Sequence, residues 1–306
     1  MREDTESAKV EAVRRIQEYI EGHLGDPLTL AELAGEARYS PWHAQRIFKE
    51  LTGKALFEYI RSLRLSKAAL ELRDGSSRVL DIALDFTFGS HEGFTRSFSK
   101  EFGLAPSAYR LNPVPIRLFM PFPAAPRHRI ARGESRMDAT KTDANEMKAI
   151  FAQVIERPAR KLLLKRGTKA EEYFAYCEEV GCDVWGVLTS VKDALYEPAG
   201  FWLPRKLRPA GTSTYVLGVE LPSSYAGAVP EGYEVIDLPP ATMMVFQGEP
   251  YDDEVFEVEV CNVMAKIDRF DPKTYGWDWD PEAAPRFQLA PEGWRGYIEA
   301  RPVKRA

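Results

Sequence analysis

Histidine and cysteine are scarce in this chain, with four and three copies in 306 residues. Cys177, Cys182 and Cys261 are odd in number and lack a paired C-x-x-C spacing, which argues against a disulfide framework and a zinc site. No metal and no cofactor is expected. The histidines are His23, His43, His91 and His128, so the C-terminal half has only carboxylates and tyrosines for acid–base work. No nucleophile–base pair is legible there, and no enzyme is expected. No apolar run approaches the roughly 20 residues of a membrane span, and Met1-Arg2-Glu3-Asp4 opens no signal peptide. The expected location is the cytoplasm.

What is present is a repeat. Ser40-Pro41-Trp42-His43-Ala44-Gln45-Arg46-Ile47-Phe48 returns in altered form as Ser90-His91-Glu92-Gly93-Phe94-Thr95-Arg96-Ser97-Phe98, and the offset persists through Gly53/Gly103 and Tyr59/Tyr109. Each copy opens with a serine able to cap a helix, keeps its apolar residues at helical spacing, and follows a short helix across a tight turn. That is the pattern of a helix-turn-helix unit, twice over.

Around the repeat, the N-terminal part reads as seven helices. Val10, Val13, Ile16, Ile20 and Leu24 give the first a buried face, and Gly25-Asp26-Pro27 stops it. Thr29 and Glu32 form a capping-box pattern before a second helix from Leu30 to Ala37, and Ser40 with Pro41 at N1 starts the third. A long helix over about 56–73 leads to a short one near Val79–Asp85, a sixth from Ser90 to Phe102, and a final turn at Pro106–Tyr109. Ala44, Ile47, Phe48 and Leu51 make the inner stripe of helix three, leaving Trp42, Gln45, Arg46 and Lys49 on the other side. Phe94, Phe98 and Phe102 point inward on helix six, leaving His91, Glu92, Thr95 and Arg96 outward. The plainer alternatives are a salt bridge or a bare phosphate contact for Arg46 and Arg96, core packing for Trp42, and packing for His23 and His43.

The length predicts about two domains. The net charge of −5 comes mainly from the acidic C-terminal part, whereas Lys and Arg well outnumber Glu between residues 38 and 73, where a phosphate backbone could use them. From Asn112 the chain turns proline-rich, then polar, and reads as a partly disordered linker over 113–147, with Ile116–Phe122 as an apolar exception able to dock on a domain. Beyond it, β-rich runs at about 150–156, 161–165, 213–221, 233–238, 243–248, 286–289 and 295–302 alternate with helices near 170–181, 184–195 and 252–270. Val154-Ile155-Glu156-Arg157-Pro158 is answered by Val235-Ile236-Asp237-Leu238-Pro239, which predicts two related half-domains.

Residues 10–110 resemble the DNA-binding domain of AraC/XylS transcription regulators, in the branch of MarA, SoxS and Rob. The resemblance rests on Ser40-x-Trp42-His43-x-Gln45-Arg46-x-Phe48 and on Thr95-Arg96-x-Phe98 followed by Leu104-x-Pro106-x-x-Tyr109-Arg110. It implies that both outward faces enter adjacent major-groove segments, so that Trp42, Gln45, Arg46 and Lys49 read or flank one and His91, Glu92, Thr95 and Arg96 the other. The chemistry suits this role: Arg pairs with guanine O6/N7, Gln with adenine, Glu92 with cytosine N4, and the Thr95 methyl with a thymine methyl. The family has glycine in both turns; here they hold Arg38 and Thr87, which would cost on the order of 1 kcal/mol each if the turns keep positive φ.

Residues 148–304 resemble the GyrI-like effector-binding domain, built from two βαββ halves. The carrying stretches include Glu156-Arg157-Pro158-Ala159, Gly218-Val219-Glu220-Leu221-Pro222, Leu238-Pro239-Pro240-Ala241 and Tyr297-Ile298-Glu299-Ala300-Arg301-Pro302. The resemblance implies a groove that holds aromatic, often cationic molecules on ring faces and a buried carboxylate. Trp185, Trp202, Tyr215, Tyr251, Tyr275, Trp277, Trp279 and Tyr297 can supply the rings, although for any one of them a core position is an equal reading. The family's acidic position reads Gln288, so neutral effectors should compete with cations. Glu299 could substitute, or could instead pair with Arg301, which shares its face of the strand.

The expected fold is therefore an all-α double helix-turn-helix domain (1–112), a linker (113–147) and an α+β domain of two βαββ halves (148–306). The expected function is a transcription regulator that binds promoter DNA, addresses RNA polymerase, and is controlled by a small hydrophobic or aromatic effector at Trp185, Tyr215, Trp277, Gln288, Tyr297 and Glu299. The alternative is a GyrI-like hydrolase fused to a DNA-binding module.

Overall fold

The computed structural model describes residues 2–121 and 149–306, so most of the expected linker, with His128, lies outside the described residues. The chain divides into two compact units, Met1–Ser135 and Arg136–Ala306.

The first unit holds α1 (Arg2–Gly22), α2 (Leu30–Ala37), α3 (Pro41–Thr52), α4 (Leu56–Asp74), α5 (Val79–Asp85), α6 (His91–Phe102) and α7 (Pro106–Leu111). Local chemistry sets the ends. The Thr29 hydroxyl accepts from Glu32 N while the Glu32 carboxylate accepts from Thr29 N at 2.8 Å, which closes the capping box of α2. Ser40 and Ser90 accept from His43 N and Gly93 N to start α3 and α6, and Gly53 and Gly103, at φ 75° and 77°, end them in the left-handed region.

One helix serves two cores. Leu56, Tyr59, Ile60 and Leu63 of α4 pack with Ile16, Ile20, Leu33, Ile47 and Phe48. Further along, Leu65, Ala68, Ala69 and Leu72 pack with Ile82, Phe94, Phe98 and Tyr109. After α7 the chain stays on this unit: Ile116 and Leu118 are buried in the second core. Phe119 meets Tyr59 edge-on at 4.9 Å, and its N–H donates to Ser66 Oγ at 2.7 Å.

Among the described residues, the second unit is a single antiparallel sheet of nine strands carrying three α-helices. Its first half holds β1 (Ile150–Arg157), β2 (Arg160–Lys165), α8 (Tyr173–Val180), α9 (Val184–Thr189), β3 (Ala199–Trp202) and β4 (Tyr215–Pro222). The second holds β5 (Glu234–Leu238), β6 (Ala241–Gly248), α10 (Phe256–Asp268), β7 (Trp277–Trp279), β8 (Arg286–Leu289) and β9 (Ile298–Arg305). The strand order β1-β6-β9-β8-β3-β4-β2-β5 reads alike from either end, with β7 added on β9. Two βαββ units, β2-α8/α9-β3-β4 and β6-α10-β8-β9, meet at the β3–β8 pair. Each half sends its leading strand across: β1 pairs with β6, and β5 with β2.

Strand alternation assigns the faces. Tyr176, Val184 and Leu188 of the first half's helices pack on Tyr215, Leu217, Val219 and Leu221. Val260, Val263 and Ile267 of α10 pack on Met244, Phe246, Tyr297 and Val303. The alternate residues Leu162, Phe201, Val216, Met243, Phe287 and Ala300 form a core on the opposite face. Both helix sets thus lie on one face, with the seam strands β3 and β8 between them. The sequence reading misses β3 and β7, four and three residues long and too short for an alternating pattern to show. It also starts the helix near 170 too early: Glu172 is the cap, and its carboxylate accepts from Phe174 N and Ala175 N.

Candidate functional site

In the first unit, α3 buries Ala44, Ile47, Phe48 and Leu51 and leaves Trp42, Gln45, Arg46 and Lys49 exposed. Trp42 is 70% exposed, which removes the core-packing alternative, and the Arg46 guanidinium lies over its ring at 5.3 Å. A large ring open to solvent beside a cation is a surface that can pack on a base edge or methyl group. On α6, Phe94 and Phe98 are buried while His91, Glu92 and Arg96 are exposed. Thr95 is half-buried, with its Oγ1 shielded and without a hydrogen-bond partner. Among the described residues, no carboxylate pairs with Arg46, Lys49 or Arg96, whereas Arg14, Arg73 and Arg78 are each in an ion pair. The readings of Arg46 and Arg96 as salt-bridge residues therefore fall. His43 lies tilted against Tyr39 at 4.6 Å and His23 stacks on Tyr19 at 4.1 Å, as packing residues would.

In the second unit, the seam gathers polar groups on the helix-bearing face. Gly200 pairs with Gln288, and Trp202 with Arg286. Gln288 Nε2 donates to the Tyr215 hydroxyl at 3.0 Å, and the Tyr297 hydroxyl donates to Gln288 Oε1 at 2.8 Å. The two tyrosines are equivalent: each stands two residues before the strand partner of an axial residue, Leu217 opposite Gly200 and Glu299 opposite Gln288. Burial pushes both phenols far above their ordinary range. Gly200 is required here, since a Cβ would stand 1.8 Å from the Tyr215 hydroxyl.

Glu299 completes the network. Fully buried, it accepts from Arg286 Nη2 at 2.6 Å and from Arg301 Nε at 2.6 Å, and its Oε2 lies 3.0 Å from the Tyr297 hydroxyl, which shares its one proton between this oxygen and Gln288 Oε1. Of its two expected uses, the structure displays the pairing with Arg301, and adds Arg286. That second arginine, missed in the sequence reading, lies 4.2 Å over the Trp202 ring with its Nε buried and unpartnered. Trp202, Arg286 and Gln288 remain half-buried, so the floor between the helix sets is partly open above a closed polar layer.

The expected ring residues divide. Tyr215, Gln288, Tyr297 and Glu299 come together. Trp185, on α9, shares the apolar cluster of Tyr215 and Trp202, with Tyr173 at 6.5 Å. Trp277 is a correction: it pairs with Arg305 and lies against its guanidinium at 4.0 Å, at the other end of β9 from Glu299 and about 20 Å along the strand. Periodicity within a three-residue strand could not have placed it. Among the described residues, no group of three or more His, Cys, Asp or Glu side chains could hold a metal ion, and no helix is long and apolar enough to cross a membrane.

Comparison with known proteins gives the following. The family described as a helix-turn-helix domain matches residues 33–112. The right origin-binding protein of Escherichia coli (strain K12) is 48% identical over 101 residues, 33% of this chain and 35% of that protein. The chain thus spans about a third of the length of that relative. Regulatory protein SoxS of Salmonella typhimurium is 40% identical over 98 residues, 32% of this chain and 92% of that protein. A solved protein bound to tetraphenylphosphonium is 17% identical, covering 50% of this chain and 94% of that one at a TM-score of 0.35, a likeness too low to carry an argument.

Proposed function

This chain belongs to the AraC/XylS family of transcription regulators, and on that premise we propose that residues 1–112 bind promoter DNA through α3 and α6 while residues 148–306 bind a small aromatic or lipophilic effector at the β3–β8 seam. The observation that carries the DNA-binding reading is the pair of outward faces. Each follows its capping serine at the same interval with an exposed arginine, Arg46 or Arg96, that pairs with no carboxylate among the described residues. One long helix, α4, belongs to both cores and so supports both faces. Phosphates would be met by Lys49 and the neighbouring basic residues, and bases by Trp42, Gln45, Arg46, His91, Glu92, Thr95 and Arg96.

The effector reading is supported by the half-buried ring and amide at the seam, Trp202 and Gln288, between modules whose junction is a usual place for ligand sites. Glu299 already faces two guanidinium groups, so a cation gains little there and neutral ligands compete on equal terms. The setting is the cytoplasm, with RNA polymerase as the further partner.

The test begins by selecting duplexes from a random library with the full chain. Arg46→Ala and Arg96→Ala should each weaken binding to the selected duplex by about 1–3 kcal/mol and relax preference at a few base pairs. Full affinity and selectivity in both variants would end the assignment of α3 and α6 as reading helices. A sensor returns its effector unchanged, so turnover of a bound ligand detected by mass spectrometry would favour a hydrolase.

A further inference from the structure

Among the described residues, two that are not glycine adopt positive φ: Arg38 at 56° and Thr87 at 58°. They occupy equivalent places, in the turns leading into α3 and α6. A side chain in this region is strained by its own Cβ, and glycine would relieve it. The backbone is nonetheless held there, because the Arg38 N–H donates to the carbonyls of Ala34 and Gly35 at the end of α2.

The two side chains differ in what they do. Thr87 is half-buried, and its Oγ1 is shielded with no partner. Arg38 is exposed and makes no ion pair or side-chain hydrogen bond among the described residues. The carboxylates nearby in sequence do not neutralise it: Glu32 is committed to the Thr29 cap, and Glu36 forms no pair with it. Arg38 stands two residues before the capping Ser40 and four before Trp42, so its guanidinium, exposed and without a protein partner among the described residues, is carried beside the entry of the first reading helix. Strain retained under a charged side chain that nothing among the described residues pairs with points to an external anion.

We propose that Arg38 is a phosphate-binding residue of the first helix-turn-helix unit, gripping the DNA backbone next to the N-terminal end of α3 and so fixing its depth and register. This rests on the DNA-binding reading above and adds a residue placed by backbone geometry rather than on a helix face. Thr87 supplies the internal control, since it has the same backbone strain and no reach.

The experiment uses the full chain as wild type, Arg38→Gly, Arg38→Lys and Thr87→Gly. Thermal melting is measured for each, with fluorescence anisotropy over a salt series on the duplex selected by the wild type and on a scrambled one. Arg38→Gly should melt higher, yet bind about eightfold more weakly at 0.1 M salt on both duplexes, with the slope of log K against log salt reduced by about 0.9, the signature of one lost phosphate contact. Arg38→Lys should keep the wild-type slope. Thr87→Gly should melt higher with affinity and slope unchanged. An Arg38→Gly variant that keeps the wild-type slope, or an Arg38→Lys variant that loses as much as Arg38→Gly, overturns the assignment. A wild-type chain that selects no duplex at all would instead remove the DNA-binding reading, and this inference with it.

Discussion

Replacing Glu299 with glutamine removes one negative charge from a place water does not reach. Three donors lose their anionic partner at once: Arg286, Arg301 and the Tyr297 hydroxyl. Removing one member of a buried ion pair costs about 3–5 kcal/mol, chiefly because the other charge is left uncompensated. Two features put this case at the low end. Arg301 keeps Asp268 at 2.5 Å, and the Arg286 side chain, 27% exposed, rests on Trp202 and can draw on solvent. The expected loss is about 3 kcal/mol, which in a unit of this size lowers the melting transition by roughly 6–12 °C. Tryptophan fluorescence is a suitable reporter, because of the six tryptophans only Trp42 lies outside the second unit. A second variant separates charge from shape: Glu299→Leu with Arg286→Met removes both members of the Glu299–Arg286 pair, leaves Arg301 on Asp268, and should recover much of the loss. A Glu299→Gln chain less than about 1 kcal/mol below wild type, or a double variant less stable than the single one, would refute the network as drawn.

Other outcomes follow from the same coordinates. Gly200→Ala should cost about 1–3 kcal/mol through overpacking against Tyr215, read as a lower melting point; an unchanged one would mean that Tyr215 does not stand over the seam. The Glu179 carboxylate accepts from the Thr168 hydroxyl and from the backbone N–H groups of Thr168, Lys169 and Ala170, so its pKa is held down to about 2. A depressed pKa contributes stability that is present above the ordinary carboxylate value and lost as pH falls towards 2. Glu179→Gln should therefore show a shallower acid-side decline in melting temperature between about pH 4.5 and 2, and an identical decline would discount these bonds. A cationic aromatic dye and its uncharged analogue should bind the second unit's seam with similar affinity; a cation preference that disappears in Glu299→Gln would show that the carboxylate is free for ligand.

Much of the first unit is legible because its signals are local. Capping at Thr29, Ser40 and Ser90 and termination at Gly53 and Gly103 involve atoms within one turn of each other. The inner stripe of α3 needs only the helical period. The positive φ at Arg38 and Thr87 follows from the turn pattern rather than from residue type, so the turns survive the loss of glycine. In the second unit, the repeat between residues 154–158 and 235–239 announces two halves. Which strand each repeat pairs with is decided by register across the whole sheet, and nothing local encodes it. The same holds for Glu299: alternation finds Arg301 on its own strand, while Arg286 arrives from β8 through a pairing that only the assembled sheet defines.

The crossing of β1 and β5 has a consequence for how this unit can be divided. Each half finishes its neighbour's outer rim, as two people might each hold the other's coat closed. Cut the chain between β4 and β5, and the segment bearing β2 loses the strand that sealed its border, while the segment bearing β6 is stripped of β1 in the same stroke. Neither piece would be a smaller version of the whole; each would expose a raw margin of unpaired amides shaped to receive the other. Two such fragments mixed in solution would be expected to reassemble across those margins, and to restore in doing so the Gly200–Gln288 junction on which both tyrosines converge.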